Sequence, residues 1–286
     1  MYCEQSVSMF SARFEKGTIS QWKRYLVCFI AILGLLYIND VYISWSAPFY
    51  GADSFSTLSP SLGELIISLY GGMDFYYPDS GMPFSMPVEW MFVVLLVLFL
   101  SLDYPLSDLS STGQNALVMS SSRTAWWLAK CFWVLFTVII FCFIVLLAAL
   151  LITLCMGGSL SLDISSTFPS ILAFNTSNLT TPAWNIGSFL VAVPIWLCAL
   201  CLVQLFLSLA IRPLPAFGCI AVFLFLSAYY ANPLLPGEYL MAARSAIFLM
   251  DGYQTITGLV FALVLAGWAI VSGIFTFKQC DFYGKE

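Results

Sequence analysis

Apolar residues fall into six runs, roughly 24–45, 88–103, 126–156, 187–211, 214–231 and 255–277, separated by stretches richer in Ser, Pro, Gly and charge. About 20 apolar residues match the hydrocarbon thickness of a bilayer, and a helix satisfies its own backbone hydrogen bonds there. The pattern therefore predicts an all-α integral membrane protein with six transmembrane helices. The second and fifth runs are short for that thickness, while the third is long enough to tilt or project beyond it. A polar, charged stretch precedes the first run, with no small-residue cleavage site. That run is expected to be a retained anchor and not a signal peptide.

The segments between the runs carry local signals of their own. In residues 1–23, Phe10 and Phe14 lie four apart, Ile19 and Trp22 follow, and Arg13 and Lys16 can face headgroups. This suggests an interfacial amphipathic helix, with a partly disordered tail as the alternative because Gly17 and several Ser and Thr weaken the pattern. Within 46–87, Ser61-Leu-Gly-Glu64 before Leu65-Ile-Ile reads as a capping box and predicts a short helix lying on the outer surface. Residues 157–186 hold two triplets of glycosylation type, Asn175-Thr-Ser and Asn178-Leu-Thr, which in a bacterial chain mean only polar loop. Arg212-Pro213-Leu-Pro215 predicts a tight turn between the fourth and fifth helices. Residues 104–125 form the one sizeable inner connection between helices. In it Leu117, Val118 and Met119, following Gln114 and Asn115, sit either on a short amphipathic helix or in an ordinary loop.

Composition fixes the solvent. With 61% hydrophobic residues, 9% charged residues and a mean hydropathy of +0.93, the chain lacks the polar surface to cover a water-soluble globule. No polar stretch is long enough to build a second core. Histidine is absent, which excludes Ser-His-Asp, Cys-His, HExxH and haem-histidine chemistry. Of nine cysteines, Cys28, Cys131, Cys142, Cys155, Cys198, Cys201 and Cys219 lie in or at the ends of apolar runs and read as small core residues. Cys198-Ala-Leu-Cys201 has the CxxC spacing without the polar neighbours that metal or redox chemistry uses. No catalytic, metal or cofactor residues are expected in this chain.

Charge placement orients the helices. Lys and Arg are retained on the cytoplasmic side during insertion. With the N-terminus inside, Arg13, Lys16, Lys23, Arg24, Arg123, Lys130, Arg212, Lys278 and Lys285 all fall there, and Arg244 alone falls outside. Asp53, Glu64, Asp74, Asp79, Asp163, Glu238 and Asp251 lie in the opposite loops. Both termini are thus expected inside. Asp40, Glu89 and Asp103 read as boundary residues, and Pro194 as a kink in the fourth helix. Gln204, well inside that helix, is read as bonding across helices or, alternatively, lining a path. Proton-driven carriers and ion channels ordinarily need buried charged or polar rings, which the runs lack. A path lined by Phe, Leu, Met and Trp suits a hydrophobic or amphipathic cargo.

Three stretches carry a family resemblance: Asp103-Tyr104-Pro105 closing the second helix, Ser122-Arg123-Thr-Ala-Trp126-Trp127-Leu-Ala-Lys130 opening the third, and the Gly267 to Gly273 helix followed by Phe277-Lys278-Gln-Cys-Asp281. With these, the chain resembles the permease subunits of bacterial ABC-2 type transporters, particularly the smaller six-helix subunits of Gram-positive antimicrobial-peptide and multidrug exporters. The resemblance implies a multi-pass half-transporter of the plasma (cytoplasmic) membrane, paired with a second copy or a related permease. ATP and Mg would be bound by a separate ABC ATP-binding subunit, in agreement with the absence of a GxxxxGK[ST] phosphate loop. Residues 104–125 would dock on that subunit, with Asp103, Gln114, Asn115, Leu117, Val118, Met119 and Arg123 as coupling residues. Residues 232–254 would partly re-enter the membrane, with Arg244 near the outer face compensated by Asp251 or Glu238. Membrane lipid and an amphipathic or hydrophobic substrate are the other implied partners, and nucleic acid is not one. Two further readings stay open: a non-transporting accessory or immunity protein, and an intramembrane enzyme, for which no two acids share a helical face at a convincing spacing.

Overall fold

A computed structural model describes residues 2–50, 59–78, 81, 83–102, 123–172, 174, 178–180 and 184–279, and of residues 2–21, 50, 123 and 277–279 the backbone alone. The chain is mostly helical, at 74%, with no strand among the described residues. Its α-helices are α1 (Tyr2–Ser46), α2 (Leu62–Leu69), α3 (Val88–Leu100), α4 (Arg123–Met156), α5 (Phe168–Ile171), α6 (Gly187–Ile211), α7 (Pro213–Tyr229) and α8 (Thr255–Gln279). Short 3-10 turns occupy Ala47–Tyr50, Pro236–Leu240 and Ala242–Arg244.

Four helices are long and apolar enough to cross a membrane, over Trp22–Phe49, Thr124–Met156, Gly187–Ile211 and Thr255–Thr276. The chain is a membrane-embedded helical protein. α3 and α7 are equally apolar but have 13 and 17 residues. At 1.5 Å per residue they reach about 20 and about 26 Å, against a hydrocarbon core of about 30 Å. α6 is the centre of the bundle, packing on α3, α4, α7 and α8, while α1 packs chiefly on α4. Side chains on the outward faces, such as Val27, Phe143, Val191 and Leu263, are exposed and apolar, as lipid contact requires.

Several boundaries differ from those read along the sequence. The segment before the first apolar run is helical and continuous with that run: α1 is unbroken from Tyr2 to Ser46 through Gly17. The helix after the capping box is present as α2, but it does not lie on the surface. Gly63 through Leu69 are all buried, because five of its eight residues are Leu or Ile and can face neighbours on every side. α4 begins at Arg123, three residues before the third apolar run. α6 passes through Pro194 without interruption.

The connections α1 to α3, α4 to α6 and α7 to α8 are bonded to one another, so they share one end of the bundle. Leu62 and Gly63 donate from their backbone N–H to Ser159 and Ser161, Ala242 and Ala243 donate to Tyr70 and Gly71, and Met250 donates to Asn178. Together these segments form a cap whose buried apolar residues, including Leu65, Ile67, Phe168, Trp184, Met241 and Phe248, are continuous with the core of the bundle. Gly72 is needed for this contact. Its φ is +70, and a Cβ there would meet the Met241 side chain at 2.5 Å.

At the other end one connection is very short. α6 and α7 are joined by Arg212 alone, whose φ of 75 and ψ of 160 lie in a region normally reserved for glycine. Reversing the chain in one residue imposes that conformation, and Pro213 at the first position of α7 leaves no room to relax it. α8 and α4 approach closely at this end, where Gly273 faces the Trp127 ring at a distance that leaves no room for a Cβ. The Trp127 indole N–H donates to the Ile270 carbonyl at 3.0 Å.

Candidate functional site

The charged centre of the cap is Arg244. Its 3-10 turn follows Glu238-Tyr-Leu-Met, and the two turns fold back so that the guanidinium points into the molecule, where it is fully buried. Nε donates to Met73 O at 2.9 Å. Nη1 donates to Ser227 O at 2.8 Å and to Glu238 Oε2 at 2.7 Å, and Nη2 donates to Asp74 O at 3.0 Å and Ala228 O at 2.9 Å. An arginine has five N–H donors, and all five are used.

The acceptors explain the placement. Ser227 and Ala228 end α7, whose last carbonyls have no partner within the helix and carry the negative end of its dipole. Met73 and Asp74 belong to the extended segment after α2, whose carbonyls accept from Nε and Nη2. One side chain therefore ties a helix end, an extended segment and the strap 236–253 together. The Phe75 ring lies 5.4 Å from the guanidinium carbon, which adds a cation–π contact. Gly237 donates to Ser227 Oγ, and a Cβ on it would come within 2.6 Å of Ser227 Cβ, so the strap lies hard against α7.

Glu238 is also fully buried. Oε2 is held by Arg244, whereas Oε1 meets no hydrogen-bond partner. Burial raises Glu238 from the ordinary 4.5 to about 7, against the lowering effects of the Arg244 charge and hydrogen bond and of the Asn232 backbone N–H. The four carbonyls around the guanidinium already answer much of its positive field, so the carboxylate gains less from it than from a lone cation. Beside the pair lies a small cavity lined by Phe189, Ala192, Trp196, Glu238, Tyr239, Met241, Ser245, Tyr253 and Thr255. Tyr239 stacks on Trp196 with centroids 5.2 Å apart, and Tyr253 lies 5.3 Å from Tyr239. Burial raises both phenols, Tyr253 to about 12.

A second polar joint fastens the cap from the other side. Ser61 and Glu64 form the complete capping box, and the other Glu64 oxygen accepts from the backbone N–H and hydroxyl of Ser165. The box thus caps α2 and clamps the loop before α5 to it. Asp163 accepts from Asn185 Nδ2 at 2.7 Å and from Ser161 Oγ at 2.9 Å, which lowers its carboxyl below the usual range. The Asn178-Leu-Thr180 triplet has a structural use, since the Thr180 hydroxyl donates to Ile247 O and accepts from Trp184 Nε1.

Of the residues singled out in sequence, Asp103, Gln114, Asn115, Leu117, Val118 and Met119 lie outside the described residues, and Arg123 is the first residue of α4. Gln204 is buried and donates from Nε2 to Leu98 O at 3.0 Å, reaching one of the last carbonyls of α3. That bond is interhelical. Its Oε1 has no hydrogen-bond partner. Asp40 is 2% exposed, and Asn39 beside it donates to Ser68 Oγ and Glu89 Oε2. Arg244 is compensated by Glu238; Asp251 is exposed. The sequence signal for the centre was Arg244 itself, the one basic residue off the common side. Among the described residues no group of His, Cys, Asp and Glu is placed to hold a metal. Comparisons with family models, with curated proteins and with solved structures find no match.

Proposed function

We propose that the chain is the membrane-spanning permease subunit of an ATP-driven ABC exporter. In this reading it has six spans with both termini inside and moves a hydrophobic or amphipathic substrate, driven by a separate ATPase subunit. The observation that carries the proposal is the polarity between the two ends of the bundle. The cap gathers Glu64, Asp74, Asp163 and Glu238, whereas Lys23, Arg24, Lys130 and Arg212 lie at or near the opposite end. Positive residues retained inside make that end cytoplasmic. The 103–122 segment then joins α3 to α4 on the motor's side. In this reading α3 and α7 span as well, with local thinning of the bilayer or tilt of neighbours accommodating their short length. The apolar bundle favours a substrate partitioned from lipid, and the resemblance to ABC-2 permeases supplies the motor.

Reporter fusions at residue 115 and at the C-terminus test the topology, and both should report the cytoplasm. Co-purification from the native membrane tests the partner, and an ATP-binding subunit is expected in the complex. Arg123→Glu, or deletion within 114–119, should uncouple ATP hydrolysis from export while leaving membrane insertion intact. Unchanged export would remove the coupling role, and a complex without an ATPase would favour an accessory protein.

A further inference from the structure

The carboxyl of Glu238 has a geometry that its ion pair does not account for. A carboxylate placed to neutralise arginine ordinarily offers both oxygens to the guanidinium fork. Here only Oε2 receives an N–H, because the other four donors are occupied by main-chain carbonyls. Oε1 is buried without a hydrogen-bond donor, and Glu238 lines the small cavity, whose Ser245, Tyr253 and Thr255 carry hydroxyls. The cavity has room for about one water molecule.

We propose that Glu238 is a proton-binding site of the cap: a proton from the cavity side loads on Oε1, and the neutral acid holds residues 236–253 on the bundle more firmly than the carboxylate does. The step is a protonation only. Solvent supplies the proton, no bond in the chain breaks, and Oε2 continues to accept from Arg244. The charged and titratable groups of this cluster among the described residues are Arg244, Asp74, Tyr239 and Tyr253. Arg244 donates to Oε2, the phenols of Tyr239 and Tyr253 are shifted upward, the Asn232 backbone N–H acts on the carboxyl, and Asp74 contributes a main-chain oxygen to the Arg244 cluster. α6, α7 and α8 line the region with apolar or hydroxyl side chains. Since the folded value of about 7 lies above the ordinary 4.5, the linked stability is complete below 4.5 and is lost as the pH rises through about 7.

The test uses the full chain in lipid nanodiscs. Infrared titration of the wild type should show a carboxylic C=O band lost with a midpoint near 7, absent from Glu238→Gln. At matched pH above 7, backbone amides of 236–253 should exchange about tenfold faster in the wild type than in Glu238→Gln, with the two converging below 4.5. Carboxyls that all titrate in the ordinary range, or a pH dependence of exchange that persists in Glu238→Gln, would overturn the proposal. If Glu238→Gln does not fold, the wild-type titration and Glu238→Asp decide: a moved midpoint supports the site, and an unmoved one removes it.

Discussion

The two ends of the bundle use polar residues in opposite ways. At the cap, charge is turned inward: Arg244, Glu238 and Glu64 are buried and join segments distant in sequence, the Arg244 to Met73 bond reaching across 171 positions. At the opposite end the single-residue turn leaves Arg212 exposed. The comparison teaches that a fully hydrogen-bonded ion pair serves as mortar in the cap, whereas the opposite end holds its buried cation, Lys130, on an aromatic face and leaves Arg212 outside. An inward charge is tolerated only when its donors are all answered, and Arg244 meets that condition with backbone carbonyls from a helix end and an extended segment. At the opposite end Lys130 is buried with its ammonium 5.3 Å from the Trp126 ring centre and Arg24 lies over the Phe99 ring, so only Arg212 of these three faces outward.

The comparison breaks most severely at Arg244. Arg244→Met keeps much of the volume but leaves Glu238 and four carbonyls buried without their donor, and should destabilise the fold by about 3–5 kcal/mol. Thermal unfolding in detergent, followed by tryptophan fluorescence, is the measurement, with the cap expected to loosen first. Next in size is Gly273→Ala at the other end. Its Cβ would overlap the Trp127 ring, so α8 must shift from α4 at about 1–3 kcal/mol, visible as a lower unfolding temperature.

Arg212→Gly has the opposite sign. It relieves a side chain held at positive φ and should stabilise the chain by about 1–2 kcal/mol. A gain in stability with lost export would sharpen the comparison, because it would show that the basic side chain is kept for a contact outside the chain. The smallest change is Gln204→Leu, at about 0.6 kcal/mol by the same unfolding measurement. Leu98 O keeps the Ser101 hydroxyl as a donor after the amide is gone.

Much of the fold was legible because its signals are local. Apolar length announced the long helices, Ser61 and Glu64 announced α2, and Arg212-Pro213 announced the turn. Fine boundaries were less legible. Gly17 reads as a weakness in an isolated helix, yet its cost of about 1 kcal/mol does not interrupt a helix propagating from both sides. The candidate site was half legible. Arg244 stood out by breaking the charge pattern, but nothing local distinguished Glu238 from Asp251 as its partner.

What the chain determined by itself is therefore its medium and its rods: apolar runs partition into lipid, and each rod closes its own backbone bonds without help from elsewhere. Tertiary structure alone decided that α2 is buried, that the loops close into one cap, and that Arg244 is answered by α7 and the 73–74 backbone. The reason is the kind of group involved. Backbone carbonyls are present at every residue, so composition and spacing do not mark which of them a folded chain leaves open.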